Sequence, residues 1–155
     1  MNDAELCAPH FFVKGMIPII REIREELLSR EAFEIYSQCM YRPNPEKYSA
    51  FADEILSRPS VCAFGFFDED RLTGILILDK CEILGIAVSA DLHRRGVGRA
   101  LIQHAAEKLH LARMTAETDD DAVGFYQACG FDCTRFERTF PDGTIIRYRC
   151  IKNFL

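Results

Sequence analysis

Between Val61 and Val88 three apolar runs, VCAFGFF, LTGILIL and CEILGIAV, follow one another with only the polar stretch DEDR and the pair Asp79-Lys80 between them. Runs of seven or eight residues rich in Val, Ile, Leu and Phe read as strands, and connectors this short return each strand against its predecessor. The chain is thereby committed to an antiparallel three-strand meander. Its third strand runs straight into HRRGVGRAL, residues 93 to 101, where bare backbone and dense positive charge coincide at the start of a helical pattern.

The flanking segments are organised around that meander. Ile19, Ile20 and Ile23 suggest a first short strand, and Leu28, Ala32, Ile35 and Cys39 recur at helical spacing until Pro43 stops them. Asn44 can cap a second helix with Pro45 in its first turn, and Tyr48, Phe51, Ala52, Ile55 and Leu56 form its apolar stripe before Pro59. Beyond the glycines, Leu101, Ile102, Ala105 and Leu109 mark one face of a helix reaching about His110. A short strand ARMTAET, a short helix from about Asp121 and a closing hairpin, FDCTRFERTF and TIIRYRC joined by PDG, complete the chain. The expected fold class is α+β: a mixed, mostly antiparallel sheet of about six or seven strands flanked by about four helices. No repeat or flexible linker divides the sequence, so residues 1 to 155 read as one domain, with residues 1 to 15 as an extension whose order the sequence leaves open.

Charge and cysteine usage narrow the function classes. The net charge is −5, so a phosphate polymer is repelled on average and nucleic acid is not an expected partner. Asp3 and Glu5 stand where a signal peptide carries basic residues, and no apolar run approaches the roughly 18 residues a bilayer span requires. The expectation is a cytoplasmic protein with no membrane partner. The cysteine count, seven, is odd. Cys7, Cys39, Cys62, Cys81 and Cys150 lie in apolar segments as reduced, buried small hydrophobes would. Cys129 and Cys133 form a C-x3-C pair with no nearby His or second pair to complete a zinc shell, so no metal site is expected.

The corner at residues 93 to 99 has the chemistry of an anion site. A helix start leaves about four backbone N–H groups unpaired and concentrates partial positive charge there. Gly96 and Gly98 let an oxyanion approach those amides, and His93, Arg94, Arg95 and Arg99 supply counter-charge. A tight strand-to-helix turn with solvated arginines is the alternative. The corner is not a P-loop, because Gly98 is followed by Arg99 and Ala100 in place of Lys and Ser/Thr. A dinucleotide fingerprint would need a small residue where Leu101 stands, and the strands before the turn form hairpins in place of a parallel βαβ unit.

Two motifs taken together, VSADLHRRGVGRAL after an apolar strand and AVGFYQACGF at residues 122 to 131, resemble the GNAT superfamily of acetyl-CoA-dependent N-acetyltransferases. The resemblance covers about residues 61 to 150. It implies a cradle for the pyrophosphate of coenzyme A built from Arg94, Arg95, Gly96, Val97, Gly98 and Arg99, with His93 at the position where the family carries Gln or Arg. It also implies that the strand before the cradle splays from its neighbour, so that amides at Ile86 and Val88 face the cosubstrate. Gly85 within that strand fits a bulge or a close approach, or else simply sheet twist. Glu82, 14 residues before Gly96, matches the place of a general base in several members; an exposed strand-end carboxylate paired with Lys80 is the alternative. Tyr126 matches a tyrosine beside the sulfur that protonates the departing thiolate, against the alternative of a packing tyrosine with its hydroxyl in water. Asp119 stands where the family commonly has an Asn that contacts the cofactor arm.

The resemblance thus implies acetyl transfer from acetyl-CoA to a primary amine by direct attack in a ternary complex. The amine belongs to a small molecule, a peptide or a protein, and homodimers are common among such enzymes. A non-catalytic acyl-CoA-binding sensor on the same fold is the alternative. The acidic chain favours a cationic acceptor through its mean field.

Overall fold

The computed structural model describes residues 18 to 154. It contains one seven-stranded sheet: β1 Ile19–Glu22, β2 Val61–Asp68, β3 Arg71–Asp79, β4 Glu82–Val88, β5 Arg113–Thr118, β6 Asp132–Phe140 and β7 Gly143–Asn153, in the order β1-β2-β3-β4-β5-β7-β6. Every neighbouring pair is antiparallel except β4 and β5. Among the described residues four α-helices flank the sheet: α1 Arg30–Tyr36, α2 Pro45–Leu56, α3 Val97–Lys108 and α4 Val123–Ala128. This is the α+β architecture expected from the sequence.

Two layers of helix bury the two faces of β2, β3 and β4 separately. One core joins Phe64, Phe66, Leu76, Leu78 and Ile83 to α3 and α4 through Val97, Leu101, Ile102 and Tyr126. The other joins Ala63, Ile75, Ile77 and Ala87 to α1 and α2 through Ile35, Tyr36, Tyr48 and Ile55. Even and odd positions of one strand serve opposite cores, which is why β2 and β3 are apolar along almost their whole length. α3 lies close on the sheet because β3 has a glycine beneath it: a Cβ on Gly74 would come within 2.8 Å of Val97 and 3.2 Å of Leu101.

The first helical segment departs from the expected single run. A 3₁₀ turn at Arg24–Glu26 precedes α1, and another at Ser37–Cys39 follows it. Ser29 restarts the chain as an N-cap, its side chain accepting from Ala32 N at 3.1 Å. At the far end the side chains of Ser37 and Cys39 donate to the carbonyls of Glu34 and Tyr36 and tighten the last turn. α2 begins as expected, with Asn44 Oδ1 accepting from Lys47 N at 2.7 Å and Pro45 in the first turn. Arg24 then fastens the end of α2 to β2 by donating to the carbonyls of Leu56, Arg58 and Val61 at 2.7 to 3.0 Å.

Two connections differ from expectation in ways that matter for the site. The β3–β4 turn falls at Lys80 and Cys81, one residue later than expected, with Asp79 paired to Glu82 and Lys80 at φ 56°. A parallel βαβ unit is also present after all: α3 carries the chain from β4 across to β5. Hairpin signals in the preceding strands masked it, because its ladder is only two residues long, Glu82 with Thr115 and Ile83 with Ala116.

Candidate active site

The short β4–β5 ladder makes an opening in the sheet. β4 stays paired to β3 as far as Val88, but beyond Ile83 nothing in β5 reaches it. Ser89 N donates to Thr73 O at 2.8 Å. In the antiparallel register that continues from this bond, the odd-numbered residues exchange hydrogen bonds with β3. Ile86 and Val88 therefore turn their N–H and C=O groups toward the opening. Val88 O is occupied, accepting from His93 Nε2 at 2.8 Å. His93, a sequence candidate for counter-charge, instead ties the glycine corner to β4.

A register shift between Ile77 and Leu78 marks a bulge in β4 at Leu84. Leu84 and Gly85 consequently face the same core, that of α1 and α2, whereas Ile83 and Ile86 face α3 and α4. Gly85 is required by a close approach: a Cβ there would stand 1.8 Å from the hydroxyl oxygen of Tyr36. Tyr36, absent from the sequence candidates, is buried, and its phenol is raised well above the ordinary tyrosine range, first by burial and then by its neighbours Cys39, Tyr48 and Tyr126. An apolar-periodic Tyr whose partner is a strand glycine 49 positions later leaves no local signal. Cys39 was expected to be buried; it is exposed, although the protein packed around its sulfur pushes the thiol up to about 11.

At the upper end of β4 the chain turns through a 3₁₀ segment, Ala90–Leu92, and enters α3. Gly96 is the N-cap residue at φ 82°, a left-handed conformation that suits glycine, and Arg94 shares that region at φ 64°. Ala100 N donates to Gly96 O at 2.9 Å, the first bond of the helix. Upstream of it the N–H groups of Gly96, Val97, Gly98 and Arg99 have no acceptor and no side-chain cap among the described residues. Arg94 and Arg95 are exposed and make no ion pair among the described residues. The Arg99 guanidinium, in contrast, donates to Ala128 O at the end of α4. The arginines thus divide between free counter-charge and a helix tether. Gly98 is small because of packing: its Cβ would lie 2.8 Å from the Phe125 ring and 3.5 Å from Ile86 Cδ1. That contact gathers cradle, β4 and α4 at one point.

Tyr126 follows on α4, its ring 5.2 Å from that of Phe125 and 5.3 Å from that of Phe131, both edge-on. The side chain is buried and its phenol raised by desolvation, with Cys150, Cys39 and Cys129 adding to the shift. Its hydroxyl has no hydrogen-bond partner among the described residues, yet it is not a sealed, unsatisfied buried atom, so it keeps contact with solvent. Glu82 stands at the closed end of the opening, exposed, on the α1–α2 side, in a shallow depression of about 260 Å³ shared with Arg58, Ser60 and Leu84. No ion pair with Lys80 forms there. Asp119 caps the turn into α4, its Oδ1 accepting from Asp121 N and Ala122 N at 3.0 Å. Among the described cysteines, Cys133 is the cross-strand partner of Cys150. Cys7 lies outside the described residues, and those residues contain no group of side chains arranged to hold a metal and no helix able to cross a membrane.

Residues 25 to 131 match the model of the acetyltransferase (GNAT) family. Over 68 residues the chain is 31% identical to the peptidyl-lysine N-acetyltransferase YjaB of Escherichia coli strain K12, covering 43% of this chain and 46% of that protein. It spans about half the length of the curated relatives it matches, from 46% to 55%. Among solved structures, the ribosomal-protein-S18-alanine N-acetyltransferase from Escherichia coli superposes with a TM-score of 0.66 at 18% identity, over 88% of this chain and 94% of that one. The aminoglycoside N-acetyltransferase AAC(6')-Iy in complex with CoA gives 0.66 at 18% identity, over 83% and 97%.

Proposed function

The chain belongs to the acetyltransferase (GNAT) family, and from that premise we propose that it transfers an acetyl group from acetyl-CoA to a primary amine by direct attack within a ternary complex. One observation carries the proposal: four N–H groups at Gly96 to Arg99, unclaimed among the described residues, adjoin the edge of β4 at Ile86 and Val88 that β5 leaves, where Val88 O alone is taken, by His93. An extended thioester with a diphosphate at one end has that succession of needs, anion binding and then main-chain pairing.

In this reading the amides of Gly96, Val97, Gly98 and Arg99 hold the diphosphate, and Arg94 and Arg95 screen its charge. Arg99 contributes its main chain, since its side chain holds α4. The N–H groups of Ile86 and Val88 pair with the pantetheine arm, and Ile86 N–H can stabilise charge developing on the thioester oxygen, a contribution of about 3 kcal/mol for one such donor. Asp119 retains its second carboxylate oxygen to accept from an amide of that arm. Glu82 takes the ammonium proton, directly or through water, because only the free amine attacks. Tyr126 delivers a proton or a hydrogen bond to the departing sulfur. Its raised phenol stays protonated through neutral and mildly alkaline pH, which the donor role requires.

The alternative of an acyl-CoA-binding module without turnover shares the cradle and differs at Tyr126. Release of free thiol from acetyl-CoA across amines, peptides and aminoglycosides separates them. Tyr126→Phe is expected to lower kcat about 100-fold while acetyl-CoA affinity stays within twofold of wild type, by about the precision of such a measurement. Unchanged turnover in that variant removes Tyr126 from the chemistry. Saturable acetyl-CoA binding without thiol release for any acceptor leaves the binding module.

A further inference from the structure

Among the described residues, the half of the sheet formed by β5, β7 and β6 is covered on only one face. Met114, Ala116 and Cys150 lie in the core under α3 and α4, so alternation turns Thr115, Glu117, Arg149 and Ile151 to the other side. The core under α1 and α2 takes strand residues from β2, β3 and β4 only. Among the described residues no helix packs on this second face of β5, β7 and β6. It lies on the same side as Gly85 and Tyr36 and adjoins the opening, because β5 is the strand from which β4 departs.

The charge of this face opposes that of the whole chain. Arg138, Arg147 and Arg149 project from it against one acid, Glu117, which pairs with Arg138 at 3.1 Å and Arg147 at 3.3 Å. Three cations less one anion leave an excess of two on a protein of net charge −5. Farther along, Arg113 and Asp132 balance each other on the same face. Arg149 has no acidic partner among the described residues. Its guanidinium lies 5.1 Å from the centre of the Phe136 ring, with that of Arg138 5.4 Å from the same ring. Fields at the surface fade within about 8 Å at physiological salt, so an acceptor here meets these arginines and hardly senses the mean charge. From Ile145 to Ile151 the face runs about 20 Å along β7, the reach of an extended peptide.

We propose that this arginine-rich face binds the acceptor as an extended peptide with acidic side chains next to the amine that is acetylated. Arg149 and Arg147 pair with carboxylates, bidentate geometry giving guanidinium its advantage, and Phe136, against which Arg149 and Arg138 lie, is the apolar floor beside them. The acceptor class is thus the reverse of the cationic amine that the net charge favours. The proposal rests on the acetyl-transfer reading for its catalytic part; the binding part stands by itself.

Three fluorescent peptides with the same amine, followed by Asp and Glu, by Ala and Ser, or by Lys, test it with the full-length protein. Anisotropy without acetyl-CoA measures the surface, and thiol release measures transfer. The acidic peptide is expected to bind about tenfold tighter than the neutral one and to lose that advantage in about 0.5 M salt. Arg149→Glu removes the preference and raises KM for the acidic peptide about tenfold with kcat unchanged, Arg149→Lys restores part of it, and neither alters the melting temperature. Equal binding of the Lys peptide, or indifference to Arg149→Glu, overturns the proposal. So does an Arg149→Glu variant that dissociates a dimer of a protein to which no peptide binds, since the face then belongs to a second copy. Salt-sensitive binding of the acidic peptide with no thiol release from any peptide upholds the surface and defeats the acetyl-transfer reading.

Discussion

Gly85 and Gly98 are small for different neighbours, and each has its own measurable consequence. At Gly98 an added methyl meets the Phe125 ring at 2.8 Å, a ring that must tilt away on α4 beside Tyr126. Gly98→Ala is expected to lower stability by about 1–3 kcal/mol, the usual overpacking range, as read from urea unfolding. At Gly85 the clash is with a hydroxyl at 1.8 Å, so the two side chains exclude each other. Gly85→Ala should cost less in a Tyr36→Leu background than in the wild type, with a coupling of at least about 0.5 kcal/mol in a double-mutant cycle. Additive costs would show that Tyr36 is not what keeps position 85 bare.

Among the elements, β4 works through what it lacks. Its bulge at Leu84 and the two-residue ladder to β5 leave one edge unsatisfied within a sheet otherwise paired from β1 to β6. Such an edge is a liability unless something pairs with it, which is why it is a natural place for an extended substrate. α2 has the opposite character, its start capped by Asn44 and its apolar face in the core on the other side of the sheet from α3. Asn44→Ala removes the bond to Lys47 N and should cost about 1 kcal/mol of stability, measured by chemical denaturation, with acetyl transfer unchanged. A fall in kcat/KM would show that α2 reaches the acceptor.

For the molecule as a whole, the buried phenols set an alkaline limit. Burial raises Tyr36 and Tyr126 far above their ordinary values and pushes Tyr48 up to about 12. An unfolded tyrosine ionises at about 10, so above that pH the unfolded chain gives up protons that the fold retains. Stability from these groups is complete below about pH 10 and declines as pH rises toward the folded values. Melting temperature should therefore be level with respect to the tyrosines from about pH 7 to 9 and fall above about 10. Tyr126→Phe should make that decline shallower, and a slope identical to wild type would contradict the burial of this phenol.

Most of the sheet was legible because its determinants are local: the three runs from Val61 to Val88 with their short turns, Asn44-Pro45 at a helix start, and the PDG turn closing the last hairpin, of which Gly143 in the structure joins β7 opposite Phe140. The open helix start at residues 96 to 99 was legible for the same reason, since free N–H groups there follow from hydrogen-bond geometry and from the glycines at 96 and 98. Folding in space decided the rest. Tyr36 meets Gly85 only when α1 lies on β4. His93 turns out to serve Val88, and Arg99 to serve α4. The arginines at 138, 147 and 149 form a single surface only because β6 and β7 share a register with β5. A one-dimensional pattern records which face a side chain takes within its own element; which faces meet, and which stay bare, depends on strand order and on where a ladder stops.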